Sequence, residues 1–186
     1  MTNCAQATKN AITLKGSAAI ISEYLSKIPP QFSKLRHLSP GEIHCLESSS
    51  SPSEWLSKNM LQKISMIITN VHTKEVLECW DFKVQTDPEE ISGDAKNPTS
   101  AKELKRIQQE IREVMRQISA TVSYLPLLDC ICTFDVLIHT IRDCDVPEAW
   151  NETSAVFIQN SQAVSLRSFS TGLHKVDTVV NYKMNL

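Results

Sequence analysis

The stretch RSFSTGLHKVDTVVNYKM, residues 167–184, constrains the fold more than any other part of the chain. Phe169, Thr171 and Leu173 alternate with polar residues; after a break at His174-Lys175, Val176, Thr178, Val180, Tyr182 and Met184 alternate again. A period of two over such lengths marks half-buried strands. Chain ends ordinarily fray, so strands placed here demand something to pair with.

Two other segments offer partners. In LQKISMIITNVHTKEVLECWDFKVQ, residues 61–85, Ile64, Met66 and Ile68 alternate before a polar turn near Val71–Glu75, and Val76, Glu78, Trp80, Phe82 and Val84 alternate after it. That pattern predicts a β-hairpin with Trp80 and Phe82 in the core. In CICTFDVLIHT, residues 130–140, Cys130, Cys132, Phe134, Val136 and Ile138 fall on one face and Ile131 and Leu137 on the other. A strand apolar on both faces predicts cover on both sides.

Helical periodicity occupies the intervals. Ala18, Ile21, Leu25 and Ile28 predict a helix over 12–28, ended by Pro29-Pro30. Leu104, Ile107, Ile111, Val114, Ile118 and Val122 predict a helix over 100–123, opened by a Ser100–Glu103 capping box, with Arg116 and Gln117 facing outward. Residues 31–54 are a Ser/Pro-rich connector and 85–99 an acidic loop. The whole, residues 1–186, reads as one α+β domain: helices on one face of an antiparallel sheet, with the C-terminal appendage, 150–186, covering the other face or an edge.

Chemistry is sparse in this pattern. A net charge of -2 argues against nucleic-acid binding by phosphate neutralisation. No apolar run suits a bilayer span, and MTNCAQATKN lacks a signal-peptide apolar core, so a soluble intracellular protein without a membrane partner is expected. Six cysteines form no CxxC pair; Cys130 and Cys132 share a face, but no second pair completes a zinc set, and no metal is expected. His37 and His44 lie apart from any ligand cluster. The four glycines are not clustered to cradle a phosphate, and HExxH and GxSxG are absent. Asp135 and His139 lack a nucleophile or oxyanion donor. No cofactor and no enzyme are expected.

The segments AITLKGSAAIISEYL, EVLECWDFKVQTD, EIREVMRQISATVSYLPLLD, CTFDVLIHT, VPEAWNETSAVFIQNS and LRSFSTGLHKVDTVVNYK resemble, in order, the HORMA-domain spindle-assembly-checkpoint family. The resemblance covers the start of the chain and nearly everything from Trp55 to Tyr182. It implies a HORMA-like fold whose C-terminal safety belt takes open and closed arrangements. Closed, the belt wraps an extended peptide that adds a strand to the sheet edge.

The implied partners are the activator subunit of the anaphase-promoting complex and the coiled-coil kinetochore receptor, with self-association of open and closed conformers. The implied places are nucleus, kinetochore and cytoplasm. By the same carry-over, Phe134, Val136, Leu137, Ile138, Trp150, Phe157, Leu166 and Phe169 form the peptide-binding edge and belt. Arg116 and Gln117 match the family's self-association pair, and 12–17 match a segment that changes place between conformers.

One interval departs from the family. Between the first helix and Trp55 the family has a strand pair and most of another helix, of which Trp55 and Leu56 match only the end. A sheet deprived of that helix is expected to lose buried apolar area, at about 2 kcal/mol per large side chain. The alternative function is then a truncated module that keeps only the Arg116–Gln117 helix surface and is inactive or modulatory in the checkpoint.

Overall fold

The computed structural model describes residues 11–36, 38, 52–87, 98–141, 153 and 156–184. In chain order these hold β1 (Ile12–Thr13), α1 (Leu14–Arg36), α2 (Pro52–Ser57), β2 (Leu61–Asn70), β3 (Val76–Thr86) and β4 (Thr99–Ser100). There follow α3 (Leu104–Val122), β5 (Cys132–Thr140), β6 (Ser161–Ser165), β7 (Phe169–Ser170) and β8 (His174–Lys183).

Alternation along the strands builds the core. Ile64, Met66 and Ile68 of β2, Trp80, Phe82 and Val84 of β3, Phe134 of β5, and Val176 and Val180 of β8 form one apolar cluster. It includes Ile21, Leu25, Ile28 and Phe32 of α1 and Val114 and Ile118 of α3. The register stacks these residues across strands: Met66 lies opposite Trp80, and Trp80 opposite Val180. Rings meet edge to face, Phe32 on Trp80 at 4.6 Å and Tyr24 on Phe169 at 4.8 Å between centroids.

The large sheet runs β5-β2-β3-β8-β6, all antiparallel, with β7 also on the outer side of β8. The terminal strands therefore pair with β3, over a register from Glu78 opposite Tyr182 to Thr86 opposite His174. The appendage extends an edge of the sheet. Its turn is tight at Gly172, whose φ of 84° is open to glycine at little steric cost. The strand break falls at 171–173 rather than at His174-Lys175, so His174 is the first residue of β8.

Three local expectations are corrected. First, α1 does not stop at Pro29-Pro30 but continues to Arg36. Each proline removes a donor and is costly inside a helix, yet the turns beyond them are held by tertiary contacts. Phe32 is fully buried, Gln31 Nε2 donates to Ser119 Oγ at 2.9 Å, and Arg36 donates to the Pro126 carbonyl at 3.3 Å and to the Glu78 carboxylate. Second, the capping box does not form: Ser100 is a strand residue opposite Ile12, and α3 starts at Leu104 behind Glu103, which makes no side-chain cap. Third, Leu104 begins the apolar stripe but is half exposed, because α3 presses on the core only from Ile107 onward.

The connector 31–54 is thus helical in its first six residues, and 39–51 lie outside the described residues, as do 88–97 of the acidic loop. Trp55 and Leu56 of the short α2 are buried in the core, supplying apolar area there in place of bare sheet. Among the described residues the core holds the ion pair of Arg36 with Glu78, whose second oxygen accepts Trp80 Nε1–H at 2.9 Å. Burial pushes the Glu78 carboxyl above the usual carboxylate range, against the opposing pull of Arg36 and Trp80.

Candidate functional site

The sheet has two unlike edges. Beside β3 the chain's own tail is laid on as β8, and β6 and β7 are laid on β8. At the other end, β5 pairs with β2 from Cys132 to Thr140, and among the described residues no strand pairs with its outer side. A nine-residue strand edge without a strand partner among the described residues is a template for another extended chain.

Along β5, Phe134 is buried in the core, while Val136 and Ile138 are half-buried and pack against it. Leu137, on the other face, is half-buried, and Asp135 beside it is exposed. The chain leaves β5 at one edge and re-enters at β6 on the opposite edge, so residues 141–160 join the two edges of the sheet. Four strand spacings amount to about 19 Å, whereas twenty extended residues reach about 66 Å. The connection has length to spare.

Of the belt residues expected from the sequence, Trp150 lies outside the described residues and Phe157 is 86% exposed. Leu166 packs against the core, its N–H donating to the Thr178 carbonyl at 2.9 Å. Phe169 is buried on Tyr24, so its ring belongs to the core in this arrangement. The structure brings Phe134, Val136, Leu137 and Ile138 together on the open edge and places Leu166 and Phe169 at the tail-covered one.

The expected self-association pair divides. Arg116 is exposed, but the Gln117 side-chain oxygen accepts the Arg167 N–H at 2.7 Å. Glu113 holds the Arg167 guanidinium at 3.1 Å, and Glu110 accepts the Ser170 N–H at 3.3 Å. Glu110, Glu113 and Gln117 recur at helical spacing, a polar stripe on α3 that sequence reasoning missed as the seat of the 167–170 segment.

The sheet face opposite the helices carries a polar group on β2, β3 and β5. Ser65 Oγ donates to Asp81 at 2.5 Å and lies 3.0 Å from His139 Nε2, while Lys63 sits 3.2 Å from Asp81. Asp135 and His139 are four residues apart on one strand and do not form a pair. Burial, then Asp81, pushes the Cys79 thiol up to about 12; burial, then Cys130, pushes Cys132 up to about 12. Neither is a nucleophile at neutral pH. Cys130 and Cys132 Sγ lie 3.5 Å apart, and among the described residues no group of three metal-binding side chains gathers. No described helix is long and apolar enough to cross a membrane.

Comparison with known proteins agrees with this geometry. The HORMA domain family matches residues 46–174. The chain is 41% identical over 198 residues to the mitotic spindle checkpoint protein MAD2 of Zea mays, covering 95% of this chain and 94% of that one. It is 40% identical over 203 residues to the mitotic spindle assembly checkpoint protein MAD2A of Dictyostelium discoideum, covering 97% and 98%. A chain in a crystal structure of the mitotic checkpoint complex superposes with a TM-score of 0.73 at 28% identity, over 91% of this chain and 100% of that one.

Proposed function

Because the chain belongs to the HORMA domain family, we propose that it is a spindle-assembly-checkpoint adaptor that traps an extended peptide of a partner protein against β5, beneath residues 141–160. The observation that carries this reading is the pair of unlike edges. The tail occupies the β3 side, the β5 side is open, and the connection between them is far longer than the sheet is wide. A guest strand gains main-chain hydrogen bonds along β5 while alternate side chains meet Val136 and Ile138 on one face and Leu137 on the other. The checkpoint role rests on relatives named for it that match this chain over nearly its whole length.

The finer assignments extend this reading. The guests are segments of the anaphase-promoting-complex activator and of the coiled-coil kinetochore receptor, and capture of the activator delays anaphase. The exposed Arg116, beside Gln117 and the 167–170 segment, takes part in self-association of conformers. The protein works at the kinetochore, exchanging with nucleus and cytoplasm, and by binding, without catalysis. A module reduced to its helix surface is not favoured, since the relatives match 95% and 97% of this chain.

The test is capture of a labelled synthetic peptide, a basic residue followed by hydrophobic ones, by the full chain. Thermal unfolding with and without it should show a rise in midpoint, since ligand at a hundred times Kd adds about 2.7 kcal/mol to native stability. Release should be slow. Absence of any thermal shift, or release as fast as from an open groove, would overturn the proposal. Deleting Arg167–Leu186 should abolish capture, but it also removes the buried Phe169, Val176 and Val180 and so tests fold and belt together.

A further inference from the structure

Two thiols stand where the chain enters the open edge. Cys132 is the first residue of β5, opposite Asn70 of β2, and Cys130 precedes it by two positions. Their Sγ atoms lie 3.5 Å apart, and Cys132 Sγ also donates to the Cys130 carbonyl at 3.4 Å. Cys132 is buried, whereas Cys130 is half-buried and lines a cleft of about 190 Å³ that Leu77, Leu128 and Tyr182 also line.

Thiols this close can be joined in three ways, and the geometry separates them. A disulfide wants Cβ atoms about 3.8 Å apart, but alternate residues of an extended strand stand about 6.6 Å apart. An S–S bond would therefore buckle the entry to β5. A divalent metal needs deprotonated thiolates and, for structural zinc, four donors. Among the described residues no group of three metal-binding side chains gathers around the pair, and burial, then Cys130 and Glu78, oppose a thiolate at Cys132.

One uncharged centre bonded covalently to both sulfurs meets neither obstacle. With bonds of about 2.3 Å, the length usual for a thiolate-bound centre, sulfurs 3.5 Å apart subtend about 100° at it. A linear centre would need them about 4.6 Å apart. An angle near a right angle belongs to a pyramidal, three-coordinate atom with a lone pair.

We propose that Cys130 and Cys132 form a dithiol site for a trivalent organoarsenical, with arsenic bridging the two sulfurs and its organic group lying in the cleft beside Leu77, Leu128 and Tyr182. Reaction with an arsine oxide balances without an oxidant or a reductant. Two S–As bonds form, both S–H bonds and the arsenic–oxygen bond break, and the two protons leave on the oxide oxygen as water. Arsenic stays trivalent and neither sulfur carries a charge. Cys130, open to the cleft, reacts first. Cys132 then closes the ring as an intramolecular step, which no second thiol in solution can match. The bridge ties the approach to β5 to its first residue and so stiffens the start of the open edge. It is independent of guest capture, and its test uses no peptide.

The probe is phenylarsine oxide, titrated into the full chain in the presence of a monothiol and followed by intact mass. One adduct per chain should form, persist in excess monothiol and be stripped by a small dithiol. Cys130→Ser and Cys132→Ala should each weaken binding by about a hundredfold or more, because a single thiol cannot chelate. Cys79→Ser, which alters the thiol beside Asp81, should leave it unchanged. An adduct kept at full affinity in Cys130→Ser puts the arsenic on other cysteines and overturns the site. The unfolded chain holds the same two residues, so the titration is repeated in urea. The folded chain should bind about tenfold more tightly, since its sulfurs are already placed; equal or tighter binding in urea overturns the proposal. If Cys132→Ala does not fold, alkylation of the loaded wild type decides: Cys130 should be spared, and its modification also overturns the site.

Discussion

The two edges of the large sheet meet the same physical problem in opposite ways. Unpaired strand edges invite other chains, and at β3 the protein answers with three strands of its own tail, while β5 keeps nine residues without a strand partner among the described residues. Their chemistry differs accordingly. The covered edge is closed by large apolar groups, Phe169, Leu173, Val176 and Val180, all buried. The open one carries the half-buried Val136, Leu137 and Ile138 beside the exposed Asp135. The contrast teaches that the tail is part of the hydrophobic core, and that the edge left over is the one with unsatisfied capacity.

The sharpest way to break this contrast is at the covered edge. Phe169→Ala removes a buried ring from Tyr24 and should cost about 4 kcal/mol, read as a fall in the denaturant midpoint. A loss below about 1 kcal/mol would mean that the tail is not core. Arg36→Ala, beneath the same edge, strands the buried Glu78 and should cost about 3 kcal/mol at pH 7.5. Its pH dependence has a definite sign. Without Arg36 the raised folded pKa of Glu78 goes higher, so stability is fully present below the unfolded value of 4.5 and is lost as pH rises through the folded one. The deficit should therefore be smaller at pH 5 than at pH 7.5 in parallel urea titrations.

At the open edge, saturating guest peptide should slow exchange of the β5 amides by roughly a hundredfold or more, through the same mass action that raises stability. Protection confined to β8 would put the guest on the wrong edge. Smaller still is Gln117→Ala, which removes the acceptor of the Arg167 N–H and should cost about 1 kcal/mol. Arg167→Ala loses a largely exposed pair with Glu113 and should change stability by no more than about 0.5 kcal/mol in the same assay.

Much of the architecture was legible because period and composition are local. The alternation in 61–85 and 167–184 marked strands that do form, the stripe through Ile107, Val114 and Ile118 marked α3, and Trp80 and Phe82 are core as expected. What escaped depends on partners distant in sequence. Pro29-Pro30 is a stop signal by local rules, overridden by Phe32 on Trp80 and by Arg36 on Glu78. Ser100 and Glu103 spell a cap, but pairing with Ile12 takes the serine into a strand. His174 looked like a break in a pattern because its partners, Ser17 and Asn59, lie more than a hundred residues away. Of the candidate site, the open strand could be named from sequence by resemblance, whereas its openness could not: an unpaired edge is a property of the whole sheet order.

The twenty residues that join β5 to β6 carry a final consequence. On the proposed reading, a guest held beneath this covalently continuous segment cannot simply lift off; it must slide out lengthwise or wait for the host to unbuckle. Residence time then belongs to the host rather than to the guest. Sequences of very different stickiness would depart at nearly one common rate, and their selection would be made at the moment of entry.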